Sequence, residues 1–76
     1  MKEALTTIIN SLVTDTDAVS INEIEGEKSV IFEVKVAECD MGKVIGREGR
    51  IAQSIRTIMK ALAAKENKKI TIEFIG

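Results

Sequence analysis

The chain has 76 residues, 45% hydrophobic and 30% charged, with a formal net charge of −1 and a sequence pI near 5.4. That length predicts a single domain over residues 1–76, one that buries roughly 60% of the surface its unfolded chain exposes. The composition excludes a disordered tail, and no apolar run approaches the roughly 20 residues needed to cross a bilayer.

The opening Met1-Lys2-Glu3-Ala4 leads into an amphipathic pattern rather than a signal-peptide core, so a cytoplasmic protein with no membrane insertion is expected. The sequence contains no histidine and one cysteine, Cys39, which reads as a small loop or helix-edge residue. Neither an intrachain disulfide nor a metal-ligand spacing is then available, and Ser/His and Cys/His pairs are excluded. No catalytic residue, cofactor or small-molecule substrate is expected. The near-neutral charge hides an asymmetry. Residues 1–40 hold three basic residues against nine acids, net −6, whereas residues 41–76 hold eight basic residues against three acids, net +5. One basic face on an acidic body follows.

Leu5, Ile8, Ile9, Leu12 and Val13 recur at helical spacing and predict an amphipathic helix over residues 2–13. Thr14-Asp15-Thr16-Asp17 closes it. From Ala18 to Val36 the period becomes two, which predicts two strands. Gly26 at the first central position of Glu25-Gly26-Glu27-Lys28 suits a type II′ hairpin turn. That turn sets Ile21 opposite Phe32 and Val19 opposite Val34.

Asp40 is a predicted N-cap for a short helix through Met41–Ile45. Ile51, Ile55, Ile58, Met59 and Leu62, widened by Ala52 and Ala63, form the stripe of a longer helix over residues 49–65. Arg50, Arg56, Lys60 and Lys65 lie off that stripe, as a solvated face would. Asn67 suits a left-handed helix end, and Ile70, Ile72 and Phe74 alternate as a third strand. The fold class is therefore α+β, with element order αββααβ. Strands two and three, joined by a two-helix crossover, should run parallel, giving a three-stranded mixed sheet with three helices on one face. The other face would carry Ile24, Ile31 and Ile75 among polar residues, either as scattered surface or as a partner patch.

The stretch Val44-Ile45-Gly46-Arg47-Glu48-Gly49-Arg50-Ile51 joins the last two helices. Gly46 and Gly49 permit backbone angles closed to other residues and allow a close neighbour. The amide groups and positive dipole end of the next helix suit a phosphate. With Val44-Ile45 before the loop, Ile51 after it, and Lys43, Arg47 and Arg50 around it, the segment resembles the KH (K homology) signature, whose GxxG loop clamps four nucleotides of backbone.

The element order is similar to the type II KH fold of bacterial proteins. The whole chain resembles the small KhpA family, from the first helix through Val19–Glu27 and Asp40–Gly46 to Ala63–Lys69. That resemblance implies a cytoplasmic RNA-binding protein, an RNA chaperone or post-transcriptional regulator linked to cell shape and cell-wall organisation. It also implies pairing as a homodimer or as a heterodimer with KhpB (also called Jag or EloR). Carried over by position, the RNA-binding residues are Lys43, Ile45, Gly46, Arg47, Glu48, Gly49, Arg50 and Ile51, with Ala52 near the groove floor and the variable loop on Lys65–Lys69. Glu48 departs from the usual basic or neutral loop and would have to point away, onto Arg50 or Lys43. Tyr and Trp are absent, and Phe32 and Phe74 have core parity, so no stacking platform is expected. The competing reading is a protein-interaction module forming KH dimers, with RNA binding secondary or absent. A phosphate-processing enzyme is disfavoured because the loop lacks the GK[ST] of a P-loop.

Overall fold

The computed structural model describes residues 1–75. Helix α1 (Lys2–Leu12) is followed by strands β1 (Ser20–Glu25) and β2 (Ser29–Lys35), helices α2 (Met41–Ile45) and α3 (Arg50–Ala64), and strand β3 (Lys69–Ile75). Short 3₁₀ turns cover Thr16–Ala18, Glu38–Asp40 and Arg47–Gly49. The sheet order is β1-β2-β3, with β2 antiparallel to β1 and parallel to β3. The expected αββααβ order, mixed sheet and central second strand are all present.

The core follows from the two periodicities. On β2, Val30, Phe32 and Val34 are fully buried, while the alternate residues Ile31 and Glu33 are only partly covered. Leu5 and Ile9 of α1, Val44 of α2, Ile55, Met59 and Ala63 of α3, and Ile70 and Ile72 of β3 complete the cluster. Each buried Leu, Ile or Phe contributes about 1.5–3 kcal/mol. At the far end of α3, Asn67 takes a left-handed φ of 57°. The Lys68 amide donates to the Ala63 carbonyl (3.0 Å) and the Asn67 amide to that of Ala64 (3.1 Å), the paired bonds of a Schellman ending.

The hairpin departs from expectation. Ile21 lies opposite Val34 and Glu23 opposite Phe32, and Val19 precedes the strand after a 3₁₀ turn. The Gly26 amide donates to the Ser29 carbonyl at 2.7 Å, so Glu27 and Lys28 are the central turn residues. Gly26 does not have the positive φ that a type II′ turn requires. A turn displaced by one residue changes cross-strand pairing by two, which leaves every side chain on its original face. Hydrophobic alternation cannot distinguish the two registers; contacts at the turn can. The Lys69 amide bonds the Lys28 carbonyl at 3.0 Å. Lys68 pairs with Glu25, and this contact lowers the carboxyl pKa and raises that of the ammonium.

Asp40 is the second correction. It stands before α2 but makes no side-chain cap to it. Its fully buried carboxylate instead accepts the Thr14 amide at Oδ1 (3.1 Å) and the Asp15 amide at Oδ2 (3.0 Å), with Lys43 at 3.2 Å. The side chain thus ties the segment leaving α1 to the start of α2. The Asp15 and Thr14 amides, reinforced by Lys43, hold its pKa down at about 2 against the opposing effect of burial. The unfolded carboxyl titrates near 3.9. Because the folded value is the lower one, this stabilisation is complete above about pH 4 and is lost as pH falls toward 2. The melting-temperature gap between wild type and Asp40→Asn should therefore hold from pH 7 to about 4 and close by about pH 2. A gap independent of pH in thermal melts would contradict the assignment.

Candidate nucleic-acid interface

The loop between α2 and α3 is built by three positive φ angles. Gly46 takes φ 76°, ψ 176°, a region open essentially to glycine alone. Glu48 (φ 57°, ψ 25°) and Gly49 (φ 73°, ψ 15°) follow in the left-handed region, and Arg50 returns to right-handed helix. The two glycines do different work. A Cβ on Gly46 would lie 2.6 Å from Ile51 Cγ1 and 2.9 Å from its Cβ, whereas nothing stands within 4 Å of one on Gly49. The close approach at Gly46 is therefore made from inside, by Ile51. Gly49 faces open space.

This arrangement modifies the expectation that the first-turn amides of α3 are free. The Gly49 amide donates to the Gly46 carbonyl at 3.2 Å, and the Arg50 amide donates to the Arg47 carbonyl. Both bonds tighten the loop into a 3₁₀ turn.

Around this frame the basic residues have unequal freedom. Arg47 is exposed. The Arg50 side chain is 82% exposed, and its Nη2 lies 3.7 Å from Glu48 Oε2. Glu48 therefore leans toward Arg50, in an exposed pair worth at most about 1 kcal/mol. Lys43 is more constrained: its ammonium is 3.2 Å from Asp40 Oδ1 and also donates to Thr14 Oγ1. Ile45 and Ile51 are half-buried and Ala52 is buried, which gives the loop an apolar flank.

One residue read as solvated face in the sequence, Arg56, is otherwise engaged, whereas Lys60 is exposed. Arg56 Nε donates to the Ile72 carbonyl at 3.4 Å, and its guanidinium lies 5.4 Å from the centre of the Phe74 ring. Lys60 lies one helical turn beyond, beside Ile70–Ile72. The i, i+4 spacing of Arg56 and Lys60 was the available signal, but the facing edge of β3 could not be seen before the strand was placed. The possible partner patch on the outer sheet face is interrupted. Ile24 pairs with Ile31, but Ile75 sits two rows away beside Lys35, and Asn22 bonds Glu33 (2.9 Å) in the row between.

A family model described as KhpA/KhpB, KH domain, matches residues 2–74. Over 75 residues the chain is 56% identical to the RNA-binding protein KhpA of Clostridium acetobutylicum, covering 99% of this chain and all of that one. It is equally identical, over the same shares, to the RNA-binding protein KhpA of Caldanaerobacter subterraneus. With the protein of that name from Borreliella burgdorferi it shares 49% identity, over 96% of this chain and 89% of the other. No solved structure matches it.

The glycine geometry gives an ordered expectation for stability. Gly49→Ala should cost about 1–2 kcal/mol, the left-handed penalty of a residue with room for its Cβ. Gly46→Ala adds overpacking against Ile51 and should cost about 3 kcal/mol or more. Urea denaturation of the two variants checks the order, and equal losses would show that the Ile51 contact yields easily.

Proposed function

The chain belongs to the KhpA/KhpB KH-domain family, and from that premise we propose that it clamps the backbone of single-stranded RNA at the Gly46–Gly49 loop. The observation that carries this reading is a loop with three positive-φ residues, flanked by the exposed guanidinium groups of Arg47 and Arg50, the second of them in a solvent-exposed pair with Glu48. Backbone amides and the dipole end of α3 would meet phosphates, and the two arginines supply charge. Lys43 adds less, because Asp40 already partners its ammonium. Ile45 and Ile51 form the apolar floor on which a base would rest, with Ala52 buried beside them.

Glu48 offsets part of the arginine charge, and no aromatic residue offers a stacking face, so single-site affinity is weak. With about three phosphate contacts, log affinity should fall against log salt with a slope of about −2. Pairing of two copies, or of one copy with KhpB, would raise the affinity by avidity. From the family resemblance come the further proposals of a cytoplasmic role as RNA chaperone or regulator and a link to cell elongation and envelope control. The function is binding rather than catalysis, in keeping with the name of its relatives.

The test is RNA crosslinking and recovery from cells carrying wild type or Arg47→Asp, with light scattering of both purified proteins. Loss of RNA from the variant at unchanged solution mass is expected. Equal recovery of RNA by both would make the loop structural and favour the interaction-module reading.

A further inference from the structure

Strand β1 is an uncovered edge of the sheet. It pairs only with β2 among the described residues, and every one of its residues except Ile21 is exposed. Which of its backbone groups stay open follows from the turn. The N–H and C=O of one strand residue point to the same side, and the side alternates along the strand. The Gly26 amide donates to the Ser29 carbonyl at 2.7 Å, on the β2 side, so Ile24, Asn22 and Ser20 face β2 as well. Ile21, Glu23 and Glu25 turn their groups outward, where no backbone partner from another element reaches them among the described residues. Val19, the next in that series, already donates to the Thr16 carbonyl at 3.3 Å and marks the end of the open stretch.

Sheet edges are ordinarily blunted by proline, by a bulge or by charges that point inward. β1 has no proline, and it pairs residue for residue with β2, without a bulge. What it carries is Glu23 and Glu25, opposite Phe32 and Val30 and so on the helix-bearing face, yet exposed at its margin. Glu25 is paired with Lys68, whereas Glu23 forms no salt bridge among the described residues. The surroundings have the same sign: residues 15–28 hold five acids and one base.

These charges select the occupant. Two copies of β1 joined edge to edge would set Glu23 and Glu25 of one against those of the other, like charges across a shared face. A phosphate backbone is repelled for the same reason. We propose that the open edge of β1 docks an extended cationic segment of another protein, added to the sheet as a further strand. Its backbone bonds the outward groups of Ile21, Glu23 and Glu25, while Lys or Arg at alternate positions lies beside the two glutamates. The residues between them fall on the opposite face, where an apolar side chain covers Ile24, 50% exposed in the free chain. The site shares no residue with the Gly46–Gly49 loop and does not depend on the RNA reading.

The experiment titrates the peptide acetyl-TKVKVKVT-amide into the full chain, followed by amide NMR and hydrogen exchange. Two control peptides separate the contributions: acetyl-TEVEVEVT-amide reverses the charge, and the lysine peptide N-methylated at each lysine and valine keeps the charge but cannot pair as a strand. The lysine peptide should shift the β1 amides and slow exchange at Ile21, Glu23 and Glu25. Both controls should bind at least about tenfold more weakly. Glu23→Lys, an exposed change whose spectrum reports that it is folded, should weaken the lysine peptide by about tenfold. Equal binding of the N-methylated peptide would reduce the effect to general charge attraction and overturns the proposal. So does affinity unchanged in Glu23→Lys, a set of shifts that leaves β1 out, or no shift at peptide concentrations up to about 1 mM.

Discussion

Ile51 can lie against the backbone of Gly46 only because Gly46 has no Cβ, and the rest of the loop is arranged around that contact. The contact brings the first turn of α3 back onto the end of α2, so the intervening residues must reverse direction within a few bonds. They do so with positive φ at Glu48 and Gly49. Glu48 is the costly member, since a side-chain-bearing residue in this region is strained by roughly 1–2 kcal/mol. The Gly49-to-Gly46 and Arg50-to-Arg47 backbone bonds offset some of that strain. The result is a projecting turn whose shape is set by its own backbone, with its side chains left for solvent or a ligand.

A preorganised loop also needs an anchored base, and Asp40 supplies it. Its carboxylate holds two amides of the segment after α1 while Lys43, one turn into α2, closes over it. Two parts of the chain distant in sequence meet at one buried acid. This explains how a five-residue helix keeps its orientation, since a helix that short has almost no stability of its own. It also divides labour among the basic residues: Lys43 is held in the scaffold, and Arg47 and Arg50 remain exposed.

How much of this could be read in the sequence depended on whether the signal was local. Helix stripes, strand parity, the crossover and the left-handed Asn67 were legible because each is imposed by neighbouring residues. The hairpin register was not: both registers put Phe32 and Val34 inward, and the deciding contacts, Lys69 on Lys28 and Lys68 on Glu25, come from more than 40 residues away. Asp40 was misread for the same reason. An Asp before a helix is normally a cap, but here two amides 25 and 26 residues earlier capture the carboxylate. The GxxG segment was recognisable from its residues, yet the unequal roles of its glycines appear only once Ile51 has been placed.

The chain's two aromatic residues are both engaged within the fold. Phe32 is sealed in the core, and Phe74 lies under Arg56. Neither ring offers a face to a base, and the stacking energy that many single-strand binders rely on is absent. What Phe74 does is hold a guanidinium at a fixed height above the sheet edge, so that a long and otherwise mobile side chain presents its donors with little entropy left to lose. The chain is acidic overall, yet its charges are unevenly placed. Most of its carboxylates lie on residues 1–40, among them Glu23, Glu25 and Glu27 around the hairpin, whereas Arg47, Arg50, Arg56 and Lys60 fall within fourteen consecutive residues on the loop and α3. At physiological ionic strength charges beyond about 8 Å are largely screened, so the local basic cluster rather than the net charge governs what approaches it.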